Sequence, residues 1–265
     1  MAYHACMNKP QLSTNLTILT GASRGMGLAI AMQLLAPGRT LLCLSRHKNE
    51  ELASLATAQN ATLIQWTEDL ANGAAVAQRL ADWLKSQGES AFQSATLINN
   101  AGMIPRIAPL AEMQGDDFNS LASALRVGLE APMQLTAAFL QATQRWSVPR
   151  KVLNISSGLG RRAMAAQAAY CAAKAGMDHF TRCLALEEAL KPGGAKVCSL
   201  APGVIDTDMQ VQLRSASSAD FPDRNAFENL KSSGALTSPD EAAARVLAFL
   251  AAPAFGNEAV ADVRG

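Results

Sequence analysis

An α/β fold, built as one doubly wound parallel sheet with helices on both faces, is predicted by three features of the 265-residue sequence. Short apolar and β-branched runs recur along the chain and are continuous rather than alternating, the pattern of strands buried on both sides. Segments with helical spacing separate them, and strands alternating with helices build parallel sheets. The first strand ends in a glycine-rich turn that opens a helix.

The elements follow in order. Leu16-Thr17-Ile18-Leu19-Thr20 predicts the first strand, stopped by Gly21, with helical spacing from about Met26. Leu41 to Leu44 and Thr62 to Trp66 predict the second and third strands, and Ala74 to Gln87 an amphipathic helix. Ala95 to Ile98 is the fourth strand, Asp117 to Arg145 a long helix, and Lys151 to Ile155 the fifth strand. A helix over Ala168 to Leu190 leads to a sixth strand, Lys196 to Leu200. A last helix spans Pro239 to Ala251, and Ala259-Val260 opens a short final strand. Ser215 to Asn225 is polar and irregular. It falls where ligands bind in such sheets, as either a lid or a plain surface loop. No linker or repeat divides the chain, so we expect a tail over residues 1–14 and a single domain over 15–265.

Composition narrows the function. Twenty-three basic residues against 22 acidic leave a net charge of +1, which gives nucleic acid nothing to bind by charge alone. No apolar run approaches the ~20 residues of a bilayer span, and Met1 to Ser13 lacks the apolar core of a signal peptide. Cys6, Cys43, Cys171, Cys183 and Cys198 form neither a CxxC nor a metal-ligand spacing. A cytoplasmic protein with free thiols and no metal is expected.

The turn Thr20-Gly21-Ala22-Ser23-Arg24-Gly25-Met26-Gly27 carries the first chemical signal. Glycines let backbone approach a pyrophosphate and take dihedrals that side chains disfavour. The helix start then offers N–H donors and a positive dipole to phosphate. The spacing is Gly-x3-Gly-x-Gly. It resembles the Thr-Gly-x3-Gly-x-Gly of the short-chain dehydrogenase/reductase family, and the resemblance runs from Leu16 to nearly the end of the chain. It implies one Rossmann-like domain. At the end of the second strand, Ser45-Arg46 stands where NAD enzymes place an acid for the ribose hydroxyls. An arginine there favours a 2′-phosphate by charge and by its forked geometry, and Arg24 is a second candidate for that group. NADP(H) is the expected cofactor. The resemblance also puts Asp69 and Leu70 at the adenine, and Asn100, Ala101 and Gly102 in a turn beside the cofactor.

Tyr170 and Lys174 are four residues apart on a predicted helix and so share a face. Ser157 precedes Tyr170 by thirteen residues, just past the fifth strand. Reducing a carbonyl needs a proton for the growing alkoxide. A phenol with an ordinary pKa near 10 supplies it usefully if a cation lowers that value. Lys174 is that cation, and Ser157 is a donor to the substrate oxygen. Ser157, Tyr170 and Lys174 match the family's Ser…Tyr-x3-Lys. The resemblance further gives Lys174 and Tyr170 contacts to the cofactor. It assigns Pro202, Gly203, Val204, Ile205 and Thr207 to the nicotinamide carboxamide, through the family's Pro-Gly-x3-Thr.

One position departs. Where the family carries an asparagine that helps hold a relay water to the lysine, this chain has Gly128, in Arg126-Val127-Gly128-Leu129. A water in place of the side chain, a substituting neighbour, or reduced activity are the three alternatives.

Leu184 to Glu188, Ala201 to Gln210 and the ending Ala259-Val260-Ala261-Asp262-Val263 are similar to the sepiapterin reductase and bacterial benzil (diketone) reductase branch. In that branch a carboxylate near the C-terminus anchors a pterin, and Asp262 matches it. The expected reaction is NADPH-dependent reduction of a ketone, a vicinal diketone or a pterin side-chain ketone, with Ser157 and Asp262 toward the substrate. Two other readings compete. One is a catalytically weak NADP-binding regulatory protein, favoured by Gly128 alone. The other is an NAD(P)-dependent alcohol dehydrogenase, opposed by Arg46. The helix over Ala168 to Leu190 is apolar beyond one stripe, and the resemblance implies pairing of it and the preceding long helix in a homodimer or homotetramer.

Overall fold

Continuous apolar runs become the centre of a seven-stranded, all-parallel sheet. The computed structural model describes residues 14–264. The strands are β1 (Thr14–Thr20), β2 (Arg39–Ser45), β3 (Thr62–Thr67), β4 (Phe92–Asn99), β5 (Arg150–Ile155), β6 (Lys196–Ala201) and β7 (Val260–Asp262), in the order β3-β2-β1-β4-β5-β6-β7. The expected tail lies outside the described residues except for Thr14, which opens β1.

Register explains why the runs are apolar throughout. Leu42, Ile18, Leu97, Val152 and Val197 lie side by side across five strands, and all face one core. The next row, Cys43, Leu19, Ile98, Leu153 and Cys198, faces the opposite core. Successive side chains in a strand point to opposite faces, so two covered faces require two apolar rows. The first core is closed by α3 (Gly73–Ser86), α5 (Ala131–Ala142) and α6 (Ala168–Ala189), through Leu80, Phe139 and Leu184. The second is closed by α1 (Gly25–Leu34), α2 (Glu50–Ala58) and α9 (Pro239–Ala251), through Ile30, Leu52 and Val246.

One step further along the first face, the row turns polar. Asn99, Asn154 and Ser199 stand adjacent on β4, β5 and β6, all buried. Asn99 donates to Asn154 Oδ1 at 2.8 Å, Asn154 to Thr181 Oγ1 at 2.9 Å, and Ser199 to Asp178 Oδ1 at 2.7 Å. Buried polar groups must be paired, and these pair with each other and with α6. The row fixes the rotation of α6 on the sheet.

The long helix expected over Asp117 to Arg145 is interrupted. It runs as α4 (Asp117–Leu125), a π-turn over Arg126–Glu130, and α5, which stops at Ala142. The cause is close packing on α6. A Cβ at Gly176 would sit 2.7 Å from Leu129 Cδ2, and one at Gly128 would sit 3.2 Å from Ala173 Cβ. A π-turn swings the backbone by the extra residue needed to seat Leu129 over Gly176.

Three helices were not expected. In α2, Asn49 accepts from Leu52 N at 2.8 Å, and Glu50 and Glu51 occupy the first turn, a start signal that the chain does carry. After β6 come α7 (Asp208–Arg214) and α8 (Arg224–Ser232). The irregular stretch between them is pinned by Phe221, which is fully buried against Leu213, Phe227 and Tyr170. Large apolar side chains are exposed at Phe118, Met133, Leu186 and Leu190, on the helices expected to pair across a two-fold.

Candidate active site

The C-terminal ends of the strands open on one cavity of about 840 Å³. It lies across the point where the chain order reverses, between β1 and β4, which is where open α/β sheets bind ligands. Its size falls within the roughly 300–1,000 Å³ of small-molecule and cofactor sites. The segments assigned to cofactor and substrate line it: the glycine turn, Ser45-Arg46, Asp69-Leu70, Asn100 to Gly102, Ser157, Tyr170, Lys174, Pro202 to Ile205, Thr207 and Asp262, whereas Gly128 and the stretch Ser215 to Asn225 do not.

The β1 end is made of backbone and short side chains. Gly21 takes φ +70, a conformation that a Cβ opposes. Gly27 lies so close to that turn that a Cβ would meet Gly21 O at 2.0 Å. Thr20 Oγ1 accepts from the backbone N–H groups of Asn100 and Ala101, both at 2.9 Å. Asn100 Nδ2 returns a bond to Thr20 O at 2.9 Å. Ser45 Oγ accepts from Ala22 N at 2.8 Å, so the tips of β2 and β4 clamp the turn between them. The result is a cradle with N–H groups at a helix start, fitted to a pyrophosphate. Asp69 accepts from Ala71 N at 2.9 Å and so caps a short turn at the cavity edge. Arg46 is exposed and has no hydrogen-bond or ion-pair partner among the described residues. Arg24 does not stand free beside it. It pairs with Asp208 of α7 at 2.9 Å, on an exposed part of the rim.

The β5 end carries the acid–base group. Tyr170, Lys174, Asp178 and Thr181 follow one another along the face of α6 that meets the polar row of the sheet, all at most 9% exposed. Lys174 Nζ donates to Ile155 O at 2.7 Å, the last carbonyl of β5, and lies 5.7 Å from the centre of the Tyr170 ring. Burial pulls Lys174 down from 10.5 to about 8, against Asp178, which holds it up. Burial pushes the Tyr170 hydroxyl up to about 12, against its hydrogen bond with Ser157. Desolvation of a buried phenol is the larger effect, and Tyr170 is a proton donor throughout the neutral range. Ser157 Oγ accepts from Leu159 N at 3.2 Å, which leaves its proton to give.

Gly128 lies in the π-turn Arg126–Glu130. The position is buried against Ala173, next to Lys174 in sequence, and α6 leaves little room for a side chain. From α4 and the π-turn, Ser123 and Val127 line the cavity.

Several cavity residues were not singled out by sequence. Ala166 takes φ +59, rare for a residue with a Cβ, and delivers Gln167 to the start of α6. Gln167 is the N-cap residue yet makes no capping bond. It is 2% exposed, and neither its amide oxygen nor its nitrogen has a hydrogen-bond partner among the described residues. A buried amide left so costs about 1–3 kcal/mol. Arg161 and Arg162 line the same end, and their position between Ser157 and Tyr170 was the available signal. Asp262 reaches the cavity but is already engaged. Arg264 holds both its oxygens, at 2.8 and 2.7 Å, and Arg161 lies at 3.5 Å. The Arg264 guanidinium keeps its carboxyl below the ordinary range.

A doubly wound sheet with a phosphate cradle at its switch point, facing a serine–tyrosine–lysine group across one cavity, defines a nucleotide-dependent oxidoreductase. The family model described as short chain dehydrogenase matches residues 15–218, and the chain belongs to that family, whose members bind a nicotinamide cofactor. It is 38% identical to a benzil reductase ((S)-benzoin forming) of Bacillus cereus, covering 84% of this chain and 88% of the relative. It is 32% identical to the sepiapterin reductase of Meriones unguiculatus, covering 97% and 98%. Among solved structures, a putative 2-deoxy-d-gluconate 3-dehydrogenase from Agrobacterium tumefaciens with bound NADP is similar, with a TM-score of 0.74 and 28% identity over 96% of this chain and 97% of that one.

Proposed function

We propose that the protein is an NADPH-dependent carbonyl reductase that acts on a ketone with a second carbonyl beside it. One observation carries the reading: Ser157, Tyr170 and Lys174 face the same cavity that the glycine cradle opens into. The cradle fits a dinucleotide because the space a Cβ would fill at Gly27 is taken by backbone and Asn100. Arg46, at the tip of β2 and without an ion-pair partner among the described residues, supports a 2′-phosphate. Thr207 and the Pro202-Gly203 turn are assigned to the carboxamide by the resemblance.

The cradle residues would hold a reduced nicotinamide cofactor, which would supply the hydride for a carbonyl carbon. Ser157 donates to the carbonyl oxygen and stabilises its developing charge. Tyr170 gives that oxygen its proton, which a hydroxyl pushed up to about 12 still holds at neutral pH. Lys174, cationic below about 8, offsets the charge left on the phenol. The benzil reductase relatives support a vicinal dicarbonyl. The sepiapterin reductase relatives support a pterin side-chain ketone, whose ring edge would share the Asp262 carboxylate with Arg264. NADPH oxidation measured with benzil tests this. Tyr170→Phe is expected to lower kcat by about 10³-fold, in the range of lost general-acid catalysis. Tight NADPH binding with no turnover on benzil or other carbonyls would overturn the proposal in favour of a binding protein.

A further inference from the structure

The substrate end of the cavity holds more donors and positive charge than its own residues can use. Arg161, Arg162 and Arg264 face it, with Asp262 as the carboxylate among them. Arg264 takes both oxygens of that carboxylate, and Arg161 touches it only at 3.5 Å. The exposed Arg162 guanidinium has no hydrogen-bond or ion-pair partner among the described residues. The other acids on the cavity wall do not compensate. Asp208 is held by Arg24, and Glu68 and Asp69 follow β3, four strands away from β5, roughly 19 Å at a strand spacing of about 4.8 Å. Nor do these arginines belong to the adenine end, since Arg46 follows β2, three strands from β5.

A second observation points to the same place. Gln167 is buried, lines this cavity, and has no partner for its amide oxygen or nitrogen among the described residues. It lies one helical turn before Tyr170, so the two share a face of α6. Unpartnered buried amides in native proteins call for a ligand or another explanation. A guanidinium pairs with a planar carboxylate through two parallel bonds, a match that neutral ketones do not offer.

We infer that the second carbonyl of the substrate is a carboxylate, so that the site takes a 2-oxo acid, with Arg162 and Arg161 receiving the carboxylate and the Gln167 amide bonding it. This rests on the carbonyl-reductase reading and narrows its substrate. The reaction stays a two-electron reduction: NADPH gives hydride to the keto carbon, Tyr170 gives the proton, and a 2-hydroxy acid leaves.

The test compares phenylglyoxylate, its methyl ester and benzil as substrates, with NADPH. The acid's kcat/KM is expected to exceed the ester's by about tenfold or more, and Arg162→Gln is expected to cut that ratio by about tenfold, as for loss of a charge-assisted bond. Raising salt from about 20 to about 500 mM is expected to raise KM for the acid and not for the ester. An ester used as well as the acid, or an unchanged ratio in Arg162→Gln, overturns the inference. Reduction of benzil or the ester without the acid sinks the carboxylate alone and leaves the reductase standing. No reduction of any of the three sinks both.

Discussion

The two ends of the cavity are built by different means. The β1 end is backbone: a turn at φ +70, a glycine with no room for a methyl group, and short side chains that clamp neighbouring strand tips. The β5 end is side chain: arginines, two glutamines and a tyrosine brought in from a loop, α6, α7 and the C-terminus. Backbone geometry tolerates almost no substitution, so the cradle is compact in sequence and unambiguous. Side-chain complementarity can be met from many positions, so the substrate end is dispersed.

Breaking the cradle tests the first half of that contrast, and the largest effect is expected there. Gly27→Ala places a methyl group 2.0 Å from Gly21 O and 2.5 Å from Asn100 Nδ2. Backbone cannot swing aside as a flexible side chain does. NADPH affinity is expected to fall by more than about 100-fold, read by titrating nucleotide fluorescence, with a lowered Tm from the core clash. A variant that binds like the parent protein would show that the cradle is as tolerant as the other end. A smaller effect is expected at the boundary between the two styles. Arg46→Ala removes one exposed guanidinium, and a charge-assisted bond is worth about 1.5–3 kcal/mol before screening. The preference for NADPH over NADH is expected to fall about tenfold, the lower end of that range. Equal preference in both proteins would remove Arg46 from cofactor recognition.

The same contrast sorts what the sequence disclosed. Apolar runs without alternation located six strands to within three residues, because a strand buried on both faces has no polar side to blur its pattern. The glycine spacing and the Ser157, Tyr170, Lys174 spacing were legible because each motif is local or sits on one helix. The polar row Asn99, Asn154, Ser199 was not, since its members are adjacent only across the sheet. Asp178 looked like one more helix residue until α6 was rotated onto that row. Gln167 gave no signal, because an amide is remarkable only once burial and missing partners are known. The π-turn was hidden for the same reason: Leu129 needs Gly176, 47 positions later, to reveal why the helix loosens.

Asp178 offers the finest test, because it belongs to neither end and acts on the chemistry only through Lys174. The lysine is drawn down to about 8 by burial, and Asp178 opposes that pull. Tyr170, pushed up to about 12, stays protonated, so the alkaline limit of reduction belongs to the lysine. The kcat/KM for ketone reduction is expected to fall above about pH 8. Stability reports other groups as well. Between about 8 and 10.5 the unfolded lysine holds a proton that the folded one has lost, so its own contribution to stability grows as pH rises through that window. The buried thiols of Cys43 and Cys198 and the Tyr170 hydroxyl, all raised to about 12, act with the opposite sign from about pH 9 upward. Thermal melts at the same pH values therefore separate titration of the lysine from unfolding. Asp178→Asn keeps an oxygen for the Ser199 hydroxyl and removes the charge. The alkaline limb is expected to move to lower pH, while kcat below the limb changes little. A limb that stays in place would mean that Asp178 serves only to anchor β6 to α6. A limb that moves would show the polar row of the sheet setting the charge of the catalytic lysine, and so the working range of the enzyme.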